Sequence, residues 1–268
     1  MRVLVTNDDG IAAPGIRWLA RVAVESGHDV LVAAPSEEAS GMSAALRAVE
    51  KDGRIIVTDH PLEGLDGVPA YGVAGSPGFI TLIATRGAFG PPPDLVLSGI
   101  NRGANAGQAV LHSGTVGAAF TGSANGCRAL AVSLDVLTAA NATAASGGAA
   151  GLLGTEAQEE ARHWATAAQF AADLLKTLID APERTVLNLN VPDARPDQVK
   201  GVRRARLARF GQVQTTVAES GQGFVRTALE ESGAELEPGT DIALLAAGYA
   251  TVTAIRAVLE TSDVALPD

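Results

Sequence analysis

A short apolar run at residues 3–5 is followed by a helical pattern and then by a second apolar run at 29–34, DVLVAA. In the middle segment Ile16, Leu19, Ala20 and Ala23 recur at helical spacing, and Ser26-Gly27 closes the run. Strand, helix and strand at this spacing form a βαβ unit, which requires a parallel strand pair with a right-handed crossover. A chain that begins this way is committed to an α/β architecture. Ligands of such folds bind beyond the carboxyl ends of the strands.

At that end of the first strand stand Thr6, Asn7, Asp8, Asp9 and Gly10. Neighbouring side chains of an extended segment point apart, but a turn at Asp8-Asp9-Gly10 lets both carboxylates reach one point. Two close anionic groups repel unless one is protonated or a cation sits between them, and a hard divalent ion fits oxygen ligands. The plainer reading is an acidic turn in which Asp9 or Asn7 caps the next helix. The second strand also ends in a polar loop, residues 35–43 (PSEEASGMS). Parallel neighbours end on the same side, which puts Ser36, Ser40 and Ser43 near the Asp pair, either as turn formers or with one as an oxygen ligand.

Two short β-like runs, 54–58 and 69–73, come next. Ser76 and Pro77 then suit the N-cap and first position of a helix carrying Phe79, Ile80, Leu82 and Ile83. A strand at 94–97 (DLVL) leads into a glycine-rich polar stretch, 98–116, with Asn101, Arg102, Asn105, His112, Ser113 and Thr115. Ser113-Gly114-Thr115 reads as a helix N-terminus, which suits a phosphate or is an ordinary Ser/Thr cap. It is neither a Walker loop nor GxGxxG. Residues 129–134 form another strand, and 138–154, rich in Ala, Gly, Thr and Ser, read as a surface loop. One amphipathic helix is expected over 156–179, with Trp164 in the core. In the strand at 185–191 (TVLNLNV), Asn188 and Asn190 make one face polar, which reads as a half-exposed strand or as the border of a site.

The 268 residues suit one large domain or one domain with an appended arm, and 47% hydrophobic content gives a full core. The net charge of −10 and the lack of a basic face argue against a nucleic-acid polymer as partner. Cys127 is the only cysteine, so neither an intrachain disulfide nor a thiolate cluster can form. No basic n-region and no apolar run of about 18 or more residues occurs, so a cytoplasmic protein without membrane contact is expected.

After residue 200 the character changes. VRRARLARF reads as a strand with an exposed Arg face or as an edge strand guarded by charge. Residues 213–229 suit a hairpin, 240–247 a helix and 250–255 a last strand. The chain thus divides into a core at 1–195 and an extension at 196–268.

These residues carry a resemblance. VLVTNDDGIAAPGI, Ala34-Pro35, Ser40-Gly41, Gly75-Ser76-Pro77, PDLVLSGINRGANAG at 93–107, HSGTVGAA at 112–119, LNLNVP at 187–192 and TDIALLAAGYATVTAI at 240–255 resemble the SurE survival proteins, metal-dependent 5′/3′-nucleotidases. The resemblance implies a Rossmann-like three-layer α/β/α core with a mostly parallel sheet, plus a β-hairpin and a C-terminal arm that supports homodimers or homotetramers. It implies one divalent cation per subunit, Mg²⁺ or Mn²⁺, held by Asp8, Asp9, Ser40 and Asn101. Phosphate would meet Ser113, Gly114 and Thr115, with Asn105 nearby. Asp8 or Asp9 would orient or deprotonate a water that attacks phosphorus, with Asn101 among the catalytic residues. His112, beside the phosphate segment, is either the leaving-group acid or a structural histidine.

Three departures from the family pattern stand out. The loop before Ser40 usually runs roughly Asp-Arg-Asn-Arg; here it is Ser36-Glu37-Glu38-Ala39. Gly78-Phe79-Ile80 stands where Ala-Asp-Cys is usual, and residues 213–227 replace an Asp-Pro-Arg-Gly and aromatic segment. The expected substrate is therefore a small phosphomonoester, a nucleotide first. The alternatives are another phosphomonoester or a non-catalytic metal and phosphate binder. A haloacid-dehalogenase-like mechanism wants Asp-x-Asp and a downstream lysine, against the adjacent aspartates here.

Overall fold

The computed structural model describes residues 1–136, 156–209, 213–222, 224–231 and 236–257. The surface loop expected at 138–154 lies outside the described residues.

The βαβ opening forms as the residue pattern requires. Strand β1 (Arg2–Thr6) leads to helix α1 (Pro14–Glu25) and strand β2 (Asp29–Pro35), with Val3 opposite Val30 in a parallel pair. Two short strands, β3 (Glu50–Lys51) and β4 (Arg54–Ile55), pair with each other, while β5 (Val57–Asp59) pairs antiparallel with β6 (Ala70–Val73). Helix α2 (Pro77–Thr85) starts at Ser76, whose hydroxyl accepts the Phe79 N–H. Strand β7 (Leu95–Arg102) runs farther than the apolar residues alone indicate: Ser98 to Arg102, the start of the glycine-rich polar stretch, continue the strand past a register shift against β8 (Arg128–Asp135). Between them lie a 3-10 turn (Gly107–His112) and helix α3 (Gly114–Ala124).

The single helix expected at 156–179 is two helices, α4 (Glu156–Glu160) and α5 (Trp164–Asp180). Asp193 makes the break. Its Oδ1 accepts the His163 backbone N–H and meets the His163 ring, both at 2.9 Å, and its Oδ2 pairs with Arg162 at 3.3 Å. Trp164 is buried, as expected.

Strand β9 (Val186–Pro192) follows, then β10 (Val202–Arg204), the antiparallel hairpin β11 (Val213–Gly221) and β12 (Phe224–Glu231), helix α6 (Asp241–Ala246) and β13 (Ala250–Ile255). The main sheet has nine strands in the order β10-β13-β9-β8-β7-β1-β2-β6-β5. From β9 to β6 all neighbours are parallel. β13 joins antiparallel to β9, and β10 closes that edge with three exposed residues, two of them arginines. Residues 202–204 and 250–255 are thus part of the central sheet, and the β11–β12 hairpin stands as a separate two-stranded sheet.

Alternation along the strands sorts the core into two layers. Val3, Val5, Leu95 and Leu97 pack with Ile16, Leu19, Trp164 and Leu178 on one face; Leu4, Leu31 and Val96 pack with Ile80, Val116 and Ala119 on the other. The result is an α/β/α sandwich. β2 lies to one side of β1 and β7 to the other, so the direction of winding reverses between β1 and β7. That reversal opens a crevice at the strand ends.

Candidate active site

The carboxyl ends of β1 and β7 flank the crevice, and the acidic turn sits there. Asn7 closes the turn: its side chain donates to the Gly10 carbonyl at 2.8 Å and accepts the Gly10 N–H at 3.2 Å. Helix α1 has Ala13 as its N-cap, with no side-chain cap bond. Neither Asn7 nor Asp9 caps that helix, so the plainer reading of the acidic turn is set aside.

Asp8 is 4% exposed and faces the start of α3. Its Oδ1 accepts the Thr115 hydroxyl at 2.5 Å, and the Thr115 backbone N–H also bonds to it. Gly114 makes this approach possible: a Cβ there would lie 2.7 Å from Asp8 Oδ2 and 2.8 Å from Asp8 Cβ. Asp9 is tied to the other strand, accepting the Arg102 N–H on Oδ2 at 3.1 Å. Asn101 donates through Nδ2 to the Gly103 carbonyl at 2.6 Å, which orients the amide without engaging Oδ1.

The loop after β2 closes over this point. Ala39 N–H donates to the Asp8 carbonyl at 2.7 Å, and Ser43 Oγ donates to the Leu111 carbonyl at 2.6 Å. Ser40 is exposed, and its hydroxyl donates to Glu38 Oε1 at 2.7 Å. Ser113 caps α3, accepting the Val116 N–H at 3.0 Å. His112 is exposed at the end of the 3-10 turn, directly before Ser113. The structure therefore brings Asp8 against Gly114 and Thr115 and joins Asp9 to the strand end that carries Asn101. Ser40 it reaches through its neighbour Ala39.

Asn105, which the resemblance places near the phosphate, is held in a network of buried polar side chains. Asn105 donates through Nδ2 to Ser133 Oγ at 2.9 Å. Its N–H goes to Asn190 Oδ1 at 2.8 Å, and its carbonyl accepts from Asn188 at 2.8 Å and from Asn190 at 3.0 Å. Asn188 and Asn190 are buried, so the half-exposed reading of their strand is corrected: β8 and β13 cover its edges and the polar face grips the 103–107 loop. The signal was the Asn-Leu-Asn alternation, which places both amides on one face. Asp241, also buried, accepts the N–H groups of Gly107 at 2.7 Å, Ala208 at 3.0 Å and Ile242 at 2.9 Å, and so fixes the far end of the same loop.

Burial raises the pKa of both aspartates. For Asp8 burial outweighs the hydrogen bonds from Thr115, which lower it. For Asp9 burial and then the charge of Asp8 push the value up to about 7, against the Arg102 N–H and guanidinium. The metal-free fold thus holds protons at the pair more tightly than the unfolded chain, whose carboxylates titrate near 4. The associated stabilisation is complete below that value and is lost as pH rises through about 7. Relative to Asp9→Asn, the metal-free wild type should lose Tm between pH 5 and pH 8. Mn²⁺ should restore more at pH 8 than at pH 5, because a cation competes with those protons. Thermal scans of both proteins with and without Mn²⁺ check this; a pH-independent difference in Tm would contradict it.

Among the described residues no three His, Cys, Asp or Glu side chains come together as a metal cluster. A cation here would draw on two carboxylates and neutral oxygens. Asp8, Asp9, Ser40 and Asn101 each offer an oxygen donor, and a mutually repelling carboxylate pair of which Asp8 is buried fits a hard divalent ion.

Fold and site together define a doubly wound α/β protein with an acidic centre at its switch point. The model of the family "Survival protein SurE" matches residues 3–214. The chain is 34% identical to a protein named 5′-nucleotidase SurE from Aeromonas hydrophila subsp. hydrophila, across 94% of this chain and 91% of that one. To a 5′/3′-nucleotidase SurE from Erwinia tasmaniensis it is 35% identical, across 96% and 90%. The crystal structure of the SurE protein from Aquifex aeolicus superposes with a TM-score of 0.72 at 29% identity, covering 96% of this chain and 93% of that one. The chain belongs to the SurE family.

Proposed function

We propose that this protein is a divalent-cation-dependent phosphomonoesterase that hydrolyses nucleoside 5′- and 3′-monophosphates to nucleoside and phosphate. The names of its relatives support the nucleotidase activity. The observation that carries the metal-dependent reading is the Asp8–Asp9 pair at the sheet's switch point, with Asp8 buried against the N-terminus of α3 and Asp9 half-buried beside it.

Asp8, Asp9, Ser40 and Asn101 would hold the cation. When bound, a divalent ion supplies Lewis-acid stabilisation of phosphoryl charge and makes a water more acidic. Asp8 or Asp9 orients the attacking water and takes its proton. The first turn of α3, with Ser113, Gly114 and Thr115, favours negative charge and receives the phosphoryl oxygens, while Asn105 is held by the β9 amides. As the water oxygen bonds to phosphorus, the bond to the ribose oxygen breaks and that oxygen needs a proton. His112, exposed beside Ser113, is the candidate donor.

The family likeness also supports a homodimer or homotetramer. The β11–β12 hairpin pairs outside the main sheet and exposes Val217, Phe224 and Val225, which suits that role. Among the described residues no helix is long and apolar enough to cross a membrane.

A second reading, a phosphatase for another phosphomonoester, is favoured by one feature: the exposed acids Glu37 and Glu38 precede Ser40 beside an anion site. Phosphate release from nucleoside monophosphates and simple phosphomonoesters, with Mn²⁺, Mg²⁺ or chelator, separates the readings. Metal-dependent release from nucleotides is expected. Release from other esters alone would select the second reading, and bound metal with no turnover would indicate a non-catalytic binder.

A further inference from the structure

Arg102 is the last residue of β7 and follows Asn101. Its main chain is fixed to the acidic turn through the bond from its N–H to Asp9 Oδ2. Its side chain is held differently. The guanidinium, on a side chain 17% exposed, lies between two carboxylates from distant segments, with Nη2 3.9 Å from Glu38 Oε1 and Nη1 3.7 Å from Glu159 Oε1. Both separations exceed hydrogen-bond length. Each acid oxygen makes a shorter bond elsewhere: Glu38 Oε1 accepts from Ser40 Oγ at 2.7 Å and Glu159 Oε1 from Arg162 Nε at 3.0 Å. Arg162 in turn is shared between Glu159 and Asp193. Charge therefore keeps the Arg102 guanidinium in place, and neither Glu38 nor Glu159 engages its planar fork of donors.

The surroundings make that fork significant. Asp8, Asp9 and Glu38 put negative charge where an anionic substrate would arrive, and the Arg102 charge acts on Asp9. A phosphomonoester carries between one and two negative charges near neutral pH. The charge of Glu38, which acts on Asp8 and Asp9, opposes it there. A guanidinium matches two phosphoryl oxygens at once, in shorter and stronger bonds than the present ion pairs.

We propose that Arg102 is a substrate-binding residue of this site: its guanidinium exchanges its long ion pairs to Glu38 and Glu159 for paired hydrogen bonds to the phosphoryl oxygens of the phosphomonoester. Glu38 is then the internal competitor that substrate displaces. The inference rests on the phosphomonoesterase reading and assigns it a further residue.

Inorganic phosphate is the probe, titrated calorimetrically into the Mn²⁺-loaded protein, alongside KM and kcat for a nucleoside monophosphate. Arg102→Ala should weaken phosphate about 10- to 100-fold and raise KM to match, the size of a lost charge-assisted pair. Its Mn²⁺ affinity should hold within about threefold, because the bond from the residue 102 N–H to Asp9 remains. Arg102→Lys should recover part of the loss, keeping charge without the fork. Glu38→Gln should act with the opposite sign and tighten phosphate severalfold. Unchanged phosphate binding in Arg102→Ala, a parallel loss of Mn²⁺ affinity, or weaker phosphate binding in Glu38→Gln would overturn the proposal. Should Arg102→Ala fail to fold, Arg102→Lys and Glu38→Gln still decide it. A wild type that binds Mn²⁺ but neither binds phosphate nor hydrolyses esters would instead overturn the phosphomonoesterase reading itself.

Discussion

Asp8→Asn lowers metal-dependent phosphate release by about 10³-fold, while the metal-free fold at pH 8 becomes at least as stable as the wild type. The two effects have one cause. Asp8 is buried with a raised pKa, so its ionised form is disfavoured by the fold that holds it. Asparagine keeps an oxygen to accept the Thr115 hydroxyl and removes the charge. It also removes the Asp8 charge that raises the Asp9 pKa, which should bring Asp9 down toward the ordinary carboxylate range. On the proposed function, what is lost is an anionic oxygen ligand of the cation, and with it several kcal/mol of transition-state charge stabilisation. Initial rates in Mn²⁺ and thermal scans in chelator measure the two arms. A variant retaining a tenth of wild-type turnover would place the cation elsewhere; a large fall in metal-free Tm would mean that the carboxylate is structural.

Gly117→Ala is expected to cost about 100-fold in turnover with little loss of fold. Gly117 lies inside α3, where alanine alone would favour the helix by up to about 1 kcal/mol. Its added Cβ, however, would overlap the Ser43 carbonyl and come within 2.5 Å of the Ala44 nitrogen. Overpacking of this kind costs about 1–3 kcal/mol. The helix is buried against the sheet, whereas the 36–46 loop is largely exposed and held by a few contacts, among them Ser36 to Val73, Ala39 to Asp8, Ser43 to Leu111, Ala45 to Ser76 and the long Glu38–Arg102 ion pair. The loop should therefore yield, carrying Ser40 away from the acidic turn. Reduced turnover and weaker Mn²⁺ binding, with a denaturation midpoint close to wild type, is the expected result. Wild-type turnover would remove Ser40 and its loop from the site.

The two variants probe different kinds of information. Asp8 was visible in the sequence because adjacent aspartates after a buried strand are costly without a reason. The role of Gly117 was not visible, since its contact is with a backbone more than seventy residues earlier. The same division runs through the fold. Ser76-Pro77 and Ser113-Gly114-Thr115 announced the starts of α2 and α3 because capping is a local bond over three residues. The hairpin at 213–231 was legible from alternation. The break between α4 and α5 was not, because the carboxylate that makes it belongs to Asp193, thirty residues on. Nor was the burial of Asn188 and Asn190, which depends on β13 arriving from the far end of the chain to pair with β9.

The sequence by itself determined the βαβ start and the placing of Asp8, Asp9, Asn101 and Thr115 at strand and helix ends. Periodicity, caps and turns are short-range, so neighbouring residues suffice to specify them. Only the tertiary structure decided that Thr115 meets Asp8, that Asn188 and Asn190 hold Asn105, and that Arg102 stands between Glu38 and Glu159. Those contacts join residues distant in the chain. They depend on strand order and on which glycines let one backbone approach another, which no local window of sequence contains.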